Sequence, residues 1–320
     1  MALSKSQLGI QSPIQCQLCE KDPKISWKCL ECDLLMCSVC KHIIHPKIKT
    51  AGEHRILDIK DIGKISSPNK DIRLQKVKCE GNKLKEIFNF NIEVYGIAIT
   101  PGNDLLIASD GPVLKQIKSG TNKILDTVYD LKTYKPGTIY VTKNNKVMVG
   151  VFVTEEKCMV IIMDDKGNHQ KLYGEGSSSI SFCYTYKITS TIDGHIFVID
   201  QINDYFEGRV VVLGQEDTIN TYCGSPPINT ENTPFTPSDL TTTPADNVIV
   251  VDADNYALHI LNSPGNLVTY ISTKGIVIAQ YPFSLGLTMV GQFCMLYLGT
   301  TTKDGSKDKA KLYKMNLIGC

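Results

Sequence analysis

Five stretches of the chain repeat one pattern of apolar and polar positions. Each has a short strand ending in threonine, a tight polar turn and a strongly apolar strand. The threonines lie 42, 49, 52 and 45 residues apart, at Thr100, Thr142, Thr191, Thr243 and Thr288. The apolar strand is too continuous for a half-exposed sheet, which predicts burial on both faces. A period of this length with β-branched strands is typical of a β-propeller blade.

A third strand and another turn follow most of these pairs, so each unit is predicted to be a four-stranded meander. A single blade cannot bury its own faces, whereas a closed ring of blades can. Residues 74–90 supply one or two further strands, and the run at 84–90 is a candidate to close the ring against the last repeat. The larger part of the chain is therefore predicted to be a β-propeller of five or six blades.

A different pattern occupies the N-terminal part, where six cysteines and two of the three histidines between residues 16 and 54 form four pairs of potential ligands. The spacing is Cys-x2-Cys-x9-Cys-x2-Cys-x4-Cys-x2-Cys-x4-His-x8-His. A Cys-x2-Cys pair directs both sulfurs at one point, and tetrahedral zinc takes two such pairs per ion. Eight ligands in four pairs predict two zinc ions, although the spacing does not determine which pair joins which ion. His42 also lies close enough in sequence to compete with His45.

Three alternatives fit this segment less well. A disulfide framework is disfavoured because the first ten residues have no apolar run of the kind that opens a secretory signal, and interleaved histidines suit zinc. A RING domain would need a Cys-x-His pair where this chain has Cys29 and Cys32. A DNA-reading zinc finger would need a helix of suitable length after the second pair.

The order of six cysteines and two histidines resembles a B-box, the small zinc domain of the tripartite-motif proteins. The repeats are similar to NHL repeats, the propeller type that often follows a B-box, with the best match at residues 247–260. The resemblance implies a RING-like cross-brace. Zinc 1 would be held by Cys16, Cys19, Cys37 and Cys40. Zinc 2 would be held by Cys29, Cys32, His45 and His54.

The coiled coil that separates B-box and propeller in tripartite-motif proteins has no counterpart here, because only residues 59–73 intervene and they carry no heptads. The predicted organisation is a disordered N-terminus (1–12), a B-box (13–58), a linker (59–73) and an NHL-like propeller (74–320). The fold class is therefore mostly β, with a two-zinc B-box followed by the propeller.

Charge is distributed unevenly along the chain. Residues 1–90 carry 16 Lys and Arg against 10 Asp and Glu, a net charge of +6, which leaves −5 for residues 91–320. A net negative propeller lacks the basic footprint of a nucleic-acid-binding domain, so RNA is a possible but less favoured partner. No stretch approaches the ~20 apolar residues of a membrane helix. We expect a cytoplasmic protein with no membrane partner.

Candidate catalytic chemistry is sparse in the sequence. Asp110, Asp200 and Asp252 end apolar strands, where carboxylates more often accept turn N–H bonds than do acid–base work. His169, His195 and His259 are dispersed and expected at the surface. The proline-rich connection at 223–239 is either a binding loop or a rigid spacer. With no nucleophile elbow or paired base, the sequence predicts no catalytic residues, no cofactor other than zinc, and no enzyme.

The leading functional hypothesis is an adaptor of the tripartite-motif type. The B-box would dock or self-associate, the propeller would recognise a protein partner, and the resemblance implies ubiquitin-linked or innate immune signalling. One alternative is a ubiquitin ligase in which the B-box would substitute for a RING domain. The other is RNA binding by the propeller.

Overall fold

The computed structural model describes most of the propeller region and short parts of the N-terminal region. The described residues are 18–19, 25–29, 34–47, 56–58, 73–80, 83–154, 157–174, 180–203, 205–274, 280–290, 293–301 and 311–317. The chain separates into two compact units, one spanning residues 9–93 and the other residues 94–320. None of the described helices is long and apolar enough to cross a bilayer.

The N-terminal unit contains a small antiparallel sheet followed by a short helix. Its elements are β1 (Ile25–Cys29), β2 (Leu34–Cys37), α1 (Ser38–Ile43), a 3-10 helix (His45–Lys47) and β3 (Ile56–Asp58). The strand order is β2-β1-β3. In the hairpin, Cys29 at the end of β1 pairs with Leu34 at the start of β2. Cys37 ends β2 and caps α1, because its sulfur accepts the N–H of Cys40 at 3.4 Å.

A long hairpin connects this unit to the propeller sequence. It consists of β4 (Arg73–Glu80) and β5 (Lys83–Ile99). The first part of β5 pairs with β4, and its last part, from Val94, pairs with the next strand. The prediction of further strands within 74–90 is therefore confirmed. Residues 84–90 pair with β4, and among the described strands they do not pair with the last repeat.

The remaining strands form five antiparallel sheets in chain order, and each sheet is a meander. Blade 1 combines β5 with β6 (Leu105–Ser109), β7 (Val113–Ile117) and β8 (Ile124–Asp130). Blade 2 is β9 (Lys135–Val141), β10 (Val147–Thr154), β11 (Lys157–Met163) and β12 (His169–Tyr173). Blade 3 is β13 (Tyr184–Ser190), β14 (Ile196–Gln201), β15 (Gly208–Leu213) and β16 (Thr218–Tyr222).

Blades 4 and 5 complete the propeller. Blade 4 is β17 (Pro237–Thr242), β18 (Val248–Asp252), β19 (Ala257–Leu261) and β20 (Leu267–Ser272). Blade 5 is β21 (Tyr281–Val290), β22 (Phe293–Thr301) and β23 (Leu312–Leu317). The predicted propeller is thus confirmed with five blades. The described part of the fifth blade has three strands.

Packing between neighbouring blades forms the core. The two middle strands of blades 3 and 4 are buried along almost their whole length, and in blade 2 burial covers Val147–Val151 and Cys158–Met163. The outer strands of blades 3 and 4 alternate between partly buried and exposed positions. One apolar cluster joins blades 2 and 3 through Met148, Phe182 and Val198, and another joins blades 3 and 4 through Phe197 and Val250. The continuous apolar strands are therefore buried on both faces, as predicted.

The threonine turns are nearly identical in the first four blades. In blade 3, the N–H of Thr191 donates to the carbonyl of His195 at 2.9 Å, and the hydroxyl of Thr191 accepts the N–H of His195 at 3.1 Å. The fourth residue of each turn has a positive φ, and these residues are Asn103, Asn145, Gly194 and Asp246. The prediction of a fifth threonine turn, at Thr288, is wrong, because Thr288 lies inside β21 and pairs with Met295.

Candidate functional site

Three cysteines of the N-terminal unit lie together. The sulfur atoms of Cys19, Cys37 and Cys40 are all within 4.8 Å of one another. Cys37 and Cys40 are buried, and Cys19 is half-buried. Cys19 comes from the first predicted pair, and the other two form the third pair. Because β2 ends at Cys37 and α1 begins directly after it, both sulfurs of the third pair reach the same point.

This group has the donor chemistry that zinc requires. Three thiols from two Cys-x2-Cys pairs converge, and tetrahedral zinc takes four such ligands. The N–H of Cys40 donates to the sulfur of Cys37 at 3.4 Å, which holds the two residues of this pair in a compact turn. The fourth ligand implied by the resemblance, Cys16, lies outside the described residues.

The ligands implied for a second zinc are only partly described. His45 lies in the 3-10 helix and is 1% exposed, whereas the competing His42 is exposed. The backbone of Cys29 lies in β1. Cys32 and His54 lie outside the described residues, so this second set stays a prediction.

In the propeller, the three strand-ending aspartates occupy different environments. Asp110 is 68% exposed and forms an ion pair with Lys135 at 3.5 Å. Asp200 is buried, accepts the N–H groups of Cys183 and Tyr184 at 2.8 and 3.0 Å, and pairs with Arg209 at 2.9 Å. For Asp200, the expected role as an acceptor of backbone N–H bonds is thus confirmed.

Asp252 is the centre of a larger buried network in blade 4. Its two carboxylate oxygens accept hydrogen bonds from the hydroxyl and N–H of Thr236 and from the amides of Asn229 and Asn255, at 2.7–3.1 Å. Nε2 of His259 lies 3.2 Å from Oδ2 of Asp252. Burial opposes ionisation, but the hydrogen bonds outweigh it and lower the pKa of the Asp252 carboxyl.

His259 was expected at the surface, and this expectation is wrong. The side chain is completely buried, and Nδ1 lies 2.7 Å from the hydroxyl of Tyr222 in blade 3. If Nε2 carries the ring proton and donates to Asp252, Nδ1 accepts from Tyr222. Burial, with the charge of Asp252, raises the pKa of Tyr222 and keeps its hydroxyl protonated. One signal was available in the sequence: His259 stands in an otherwise apolar strand.

The other two propeller histidines lie closer to the surface, as expected. His169 contacts the carbonyl of Asp130 at 2.7 Å, and Nδ1 of His195 lies 2.9 Å from the hydroxyl of Ser263. Each links neighbouring blades. The proline-rich connection at 223–239 is held through Asn229, which accepts the N–H of Ser225 and donates to Asp252. This contact favours the rigid-spacer interpretation for that part of the connection.

Comparisons with known proteins identify the fold and no family. No protein-family model matches the chain, and no curated protein matches its sequence. The B-box and tripartite-motif resemblance therefore has no support from these comparisons. A solved structure of a protein of unknown function from Bacteroides caccae is similar with a TM-score of 0.50 and 12% identity, covering 72% of this chain and 86% of that one.

Solved enzyme structures are also similar. Virginiamycin B lyase from Staphylococcus aureus has a TM-score of 0.45 and 18% identity, covering 69% of each chain. A luciferin-regenerating enzyme has a TM-score of 0.49 and 11% identity, covering 72% of this chain and 79% of that one. The prediction that the protein is not an enzyme is corrected by these findings, because this kind of propeller occurs in enzymes. At such identities the likeness concerns the fold and assigns no reaction.

Proposed function

We propose that the protein is a zinc-containing interaction protein of the tripartite-motif type, working in the cytoplasm. Its N-terminal unit would bind zinc and dock or self-associate, and its five-bladed propeller would recognise a protein partner. The observation that carries this proposal is the convergence of the Cys19, Cys37 and Cys40 sulfurs within 4.8 Å. Ubiquitin-linked or innate immune signalling is the process that the sequence resemblance suggests.

The chemistry of the cysteines supports a structural role for zinc. The N-terminal unit is small, since it spans residues 9–93. Domains of this kind commonly draw much of their folding free energy from metal binding. The described cysteines form no disulfides, which agrees with the proposed cytoplasmic location. Cys16, Cys19, Cys37 and Cys40 would hold one ion, and Cys29, Cys32, His45 and His54 would hold a second.

The decisive experiment is elemental analysis of the full chain purified without chelators. We expect two zinc ions per chain, falling to one in the Cys37→Ser variant and to one in Cys29→Ser. The matched control is Cys223→Ser, which removes an exposed propeller cysteine and should retain two ions. Chelation with EDTA should unfold residues 16–58, as followed by hydrogen exchange.

Two results would contradict the proposal. Zinc content that is zero, or that is equally high in all three variants, would show that the proposed residues do not bind zinc. A segment 16–58 that keeps its hydrogen-exchange protection in EDTA would show that zinc does not stabilise it. A stoichiometry of one, lost in Cys37→Ser and kept in Cys29→Ser, would retain the first site and reject the second.

A further inference from the structure

The rim of the propeller that carries the loops between the second and third strands of each blade contains a cavity. It has a volume of 440 Å³ and lies where blades 3, 4 and 5 meet. Its wall includes Gln201, Phe206, Ser238, Asp254, Tyr281 and Phe283. This volume falls within the ~300–1,000 Å³ range typical of sites for small ligands.

One buried polar group in the wall has no hydrogen-bond partner among the described residues. Ser238 is 6% exposed, and its hydroxyl has no hydrogen-bond partner. Gln201 also lines the cavity and is 7% exposed. A buried polar group without a partner costs about 1–3 kcal/mol. An unpartnered hydroxyl beside the cavity is a group that a bound ligand would satisfy.

The charge of the wall is negative. Among the described residues that line the cavity, only Asp254 carries a charge, and no ion pair within this part of the chain involves it. Its backbone is fixed, because the hydroxyl of Thr236 accepts the N–H of Asp254 at 3.1 Å while also donating to the buried Asp252. The backbone that carries this exposed carboxylate is therefore held at the edge of the cavity.

Aromatic rings provide the remaining recognition surface. Phe206 has a φ of 62°, a left-handed conformation that costs a residue other than glycine about 1–2 kcal/mol, and its side chain is 57% exposed. The ring of Tyr281 packs on Tyr256 with centroids 4.8 Å apart, and Phe283 is 37% exposed. Aromatic faces beside a carboxylate attract ammonium groups, through the ring quadrupole and the charge together.

We propose that this cavity binds a ligand that carries an ammonium group and a second hydrogen-bonding group. Asp254 would pair with the ammonium, the rings of Phe206, Tyr281 and Phe283 would contact the carbon atoms that bear it, and Ser238 and Gln201 would bind the second polar group. The ammonium could belong to a small hydroxylated amine or to a lysine side chain of a partner protein. The site stands independently of the zinc proposal.

The test uses the full chain and two pairs of probes that differ in charge. N-methylglucamine is compared with sorbitol, and Nα-acetyl-lysine amide with Nα-acetyl-norleucine amide, by ligand-observed NMR titration. We expect at least one ammonium probe to bind about tenfold more tightly than its neutral counterpart. Binding of N-methylglucamine would identify the ligand as a small free amine, and binding of Nα-acetyl-lysine amide would identify it as a lysine side chain of a partner protein.

Variants assign the contacts. Asp254→Asn should abolish the preference for the ammonium probe. The control Glu216→Gln removes one exposed carboxylate from the turn between β15 and β16, at the other end of the blade, and should leave binding unchanged. Ser238→Ala should weaken binding of the favoured probe. Thermal unfolding of each variant checks that the propeller stays folded.

Equal affinity for charged and neutral probes, an absence of binding by all four, or an unchanged preference in Asp254→Asn would overturn the proposal. Unchanged binding in Ser238→Ala would show that Ser238 does not bind the second polar group of the ligand. Repeating the titration after EDTA treatment separates this site from the zinc site. Amine binding that persists without zinc supports the cavity whatever the outcome of the metal analysis.

Discussion

Nε2 of His259 lies 3.2 Å from Oδ2 of Asp252, and both side chains are completely buried. The hydroxyl of Tyr222, in the neighbouring blade, lies 2.7 Å from the other ring nitrogen. This chain of polar groups joins blades 3 and 4 beside the apolar cluster that contains Phe197 and Val250. It gives Asp252 a structural role that its exposed counterpart Asp110 does not have.

Asp252→Asn should destabilise the propeller by about 3 kcal/mol, because the carboxylate accepts hydrogen bonds from several buried donors and an amide presents only one acceptor oxygen. Urea unfolding followed by far-UV circular dichroism measures the change. Asp110→Asn is the matched control, since Asp110 ends the corresponding strand of blade 1 but is 68% exposed. Its expected effect is below about 0.5 kcal/mol. Equal losses in the two variants would refute the structural role of the network.

The stability of the propeller should depend on the ionisation of Asp252 in acid. Burial by itself would raise the pKa of the Asp252 carboxyl, but hydrogen bonds from His259, Asn229 and Asn255 outweigh it. The pKa in the folded state is therefore lowered. The unfolded chain therefore binds the proton first, and the contribution of Asp252 is present above about pH 4 and lost as the pH falls through the folded pKa. The difference in unfolding free energy between the wild type and Asp252→Asn should shrink below that pH.

Asp239 should show the opposite dependence on pH. Burial raises the pKa of its carboxyl, and Lys187, at 3.7 Å, only partly offsets this. The folded state then binds the proton first, so ionised Asp239 reduces stability as the pH rises from about 4 through its folded pKa. In Asp239→Asn, this part of the pH dependence should disappear. If the variant and the wild type lose stability in parallel over that interval, Asp239 is not the titrating group.

Gly194→Ala should cost about 1–2 kcal/mol through backbone strain. Gly194 has a φ of 93°, and a methyl group there would meet no atom within 4 Å, so steric overlap contributes nothing. Gly102→Ala is the control, because Gly102 lies in the corresponding turn of blade 1 without a positive φ and with its nearest neighbour 3.7 Å away. Thermal unfolding should separate the two variants by several degrees. Similar melting temperatures of the two variants would argue against backbone strain at position 194.

Gly150→Ala should destabilise the contact between blades 2 and 3. A methyl group on Gly150 would overlap the hydroxyl of Thr185 and lie 2.8 Å from Cγ2 of Thr138. We expect a loss of about 1–3 kcal/mol, typical of overpacking. Gly286→Ala, where the nearest atom lies 3.8 Å away, serves as the control and should change stability little. Chemical unfolding curves of the two variants give the comparison.

The sequence by itself determined the repeated unit and the positions of its turns. Apolar strands buried on both faces, polar turns after threonine and the spacing between repeats all follow from local chemistry, so the β-propeller and four of the five turns could be predicted. The Cys-x2-Cys spacing indicated that the sulfurs of Cys37 and Cys40 would converge, because such a pair is a local structure. The spacing did not determine that Cys19 would join them; only the resemblance to a B-box implied it.

Only the tertiary structure decided which polar residues meet across blades. His259 and Tyr222 are 37 residues apart, and neither residue signals the other in sequence, because the contact depends on how blade 4 packs on blade 3. The cavity beside Ser238 and Asp254 arises in the same way, from the ends of three blades. The number of blades and the pairing of residues 84–90 with β4 were also tertiary outcomes, since several strand partners satisfy the same apolar pattern.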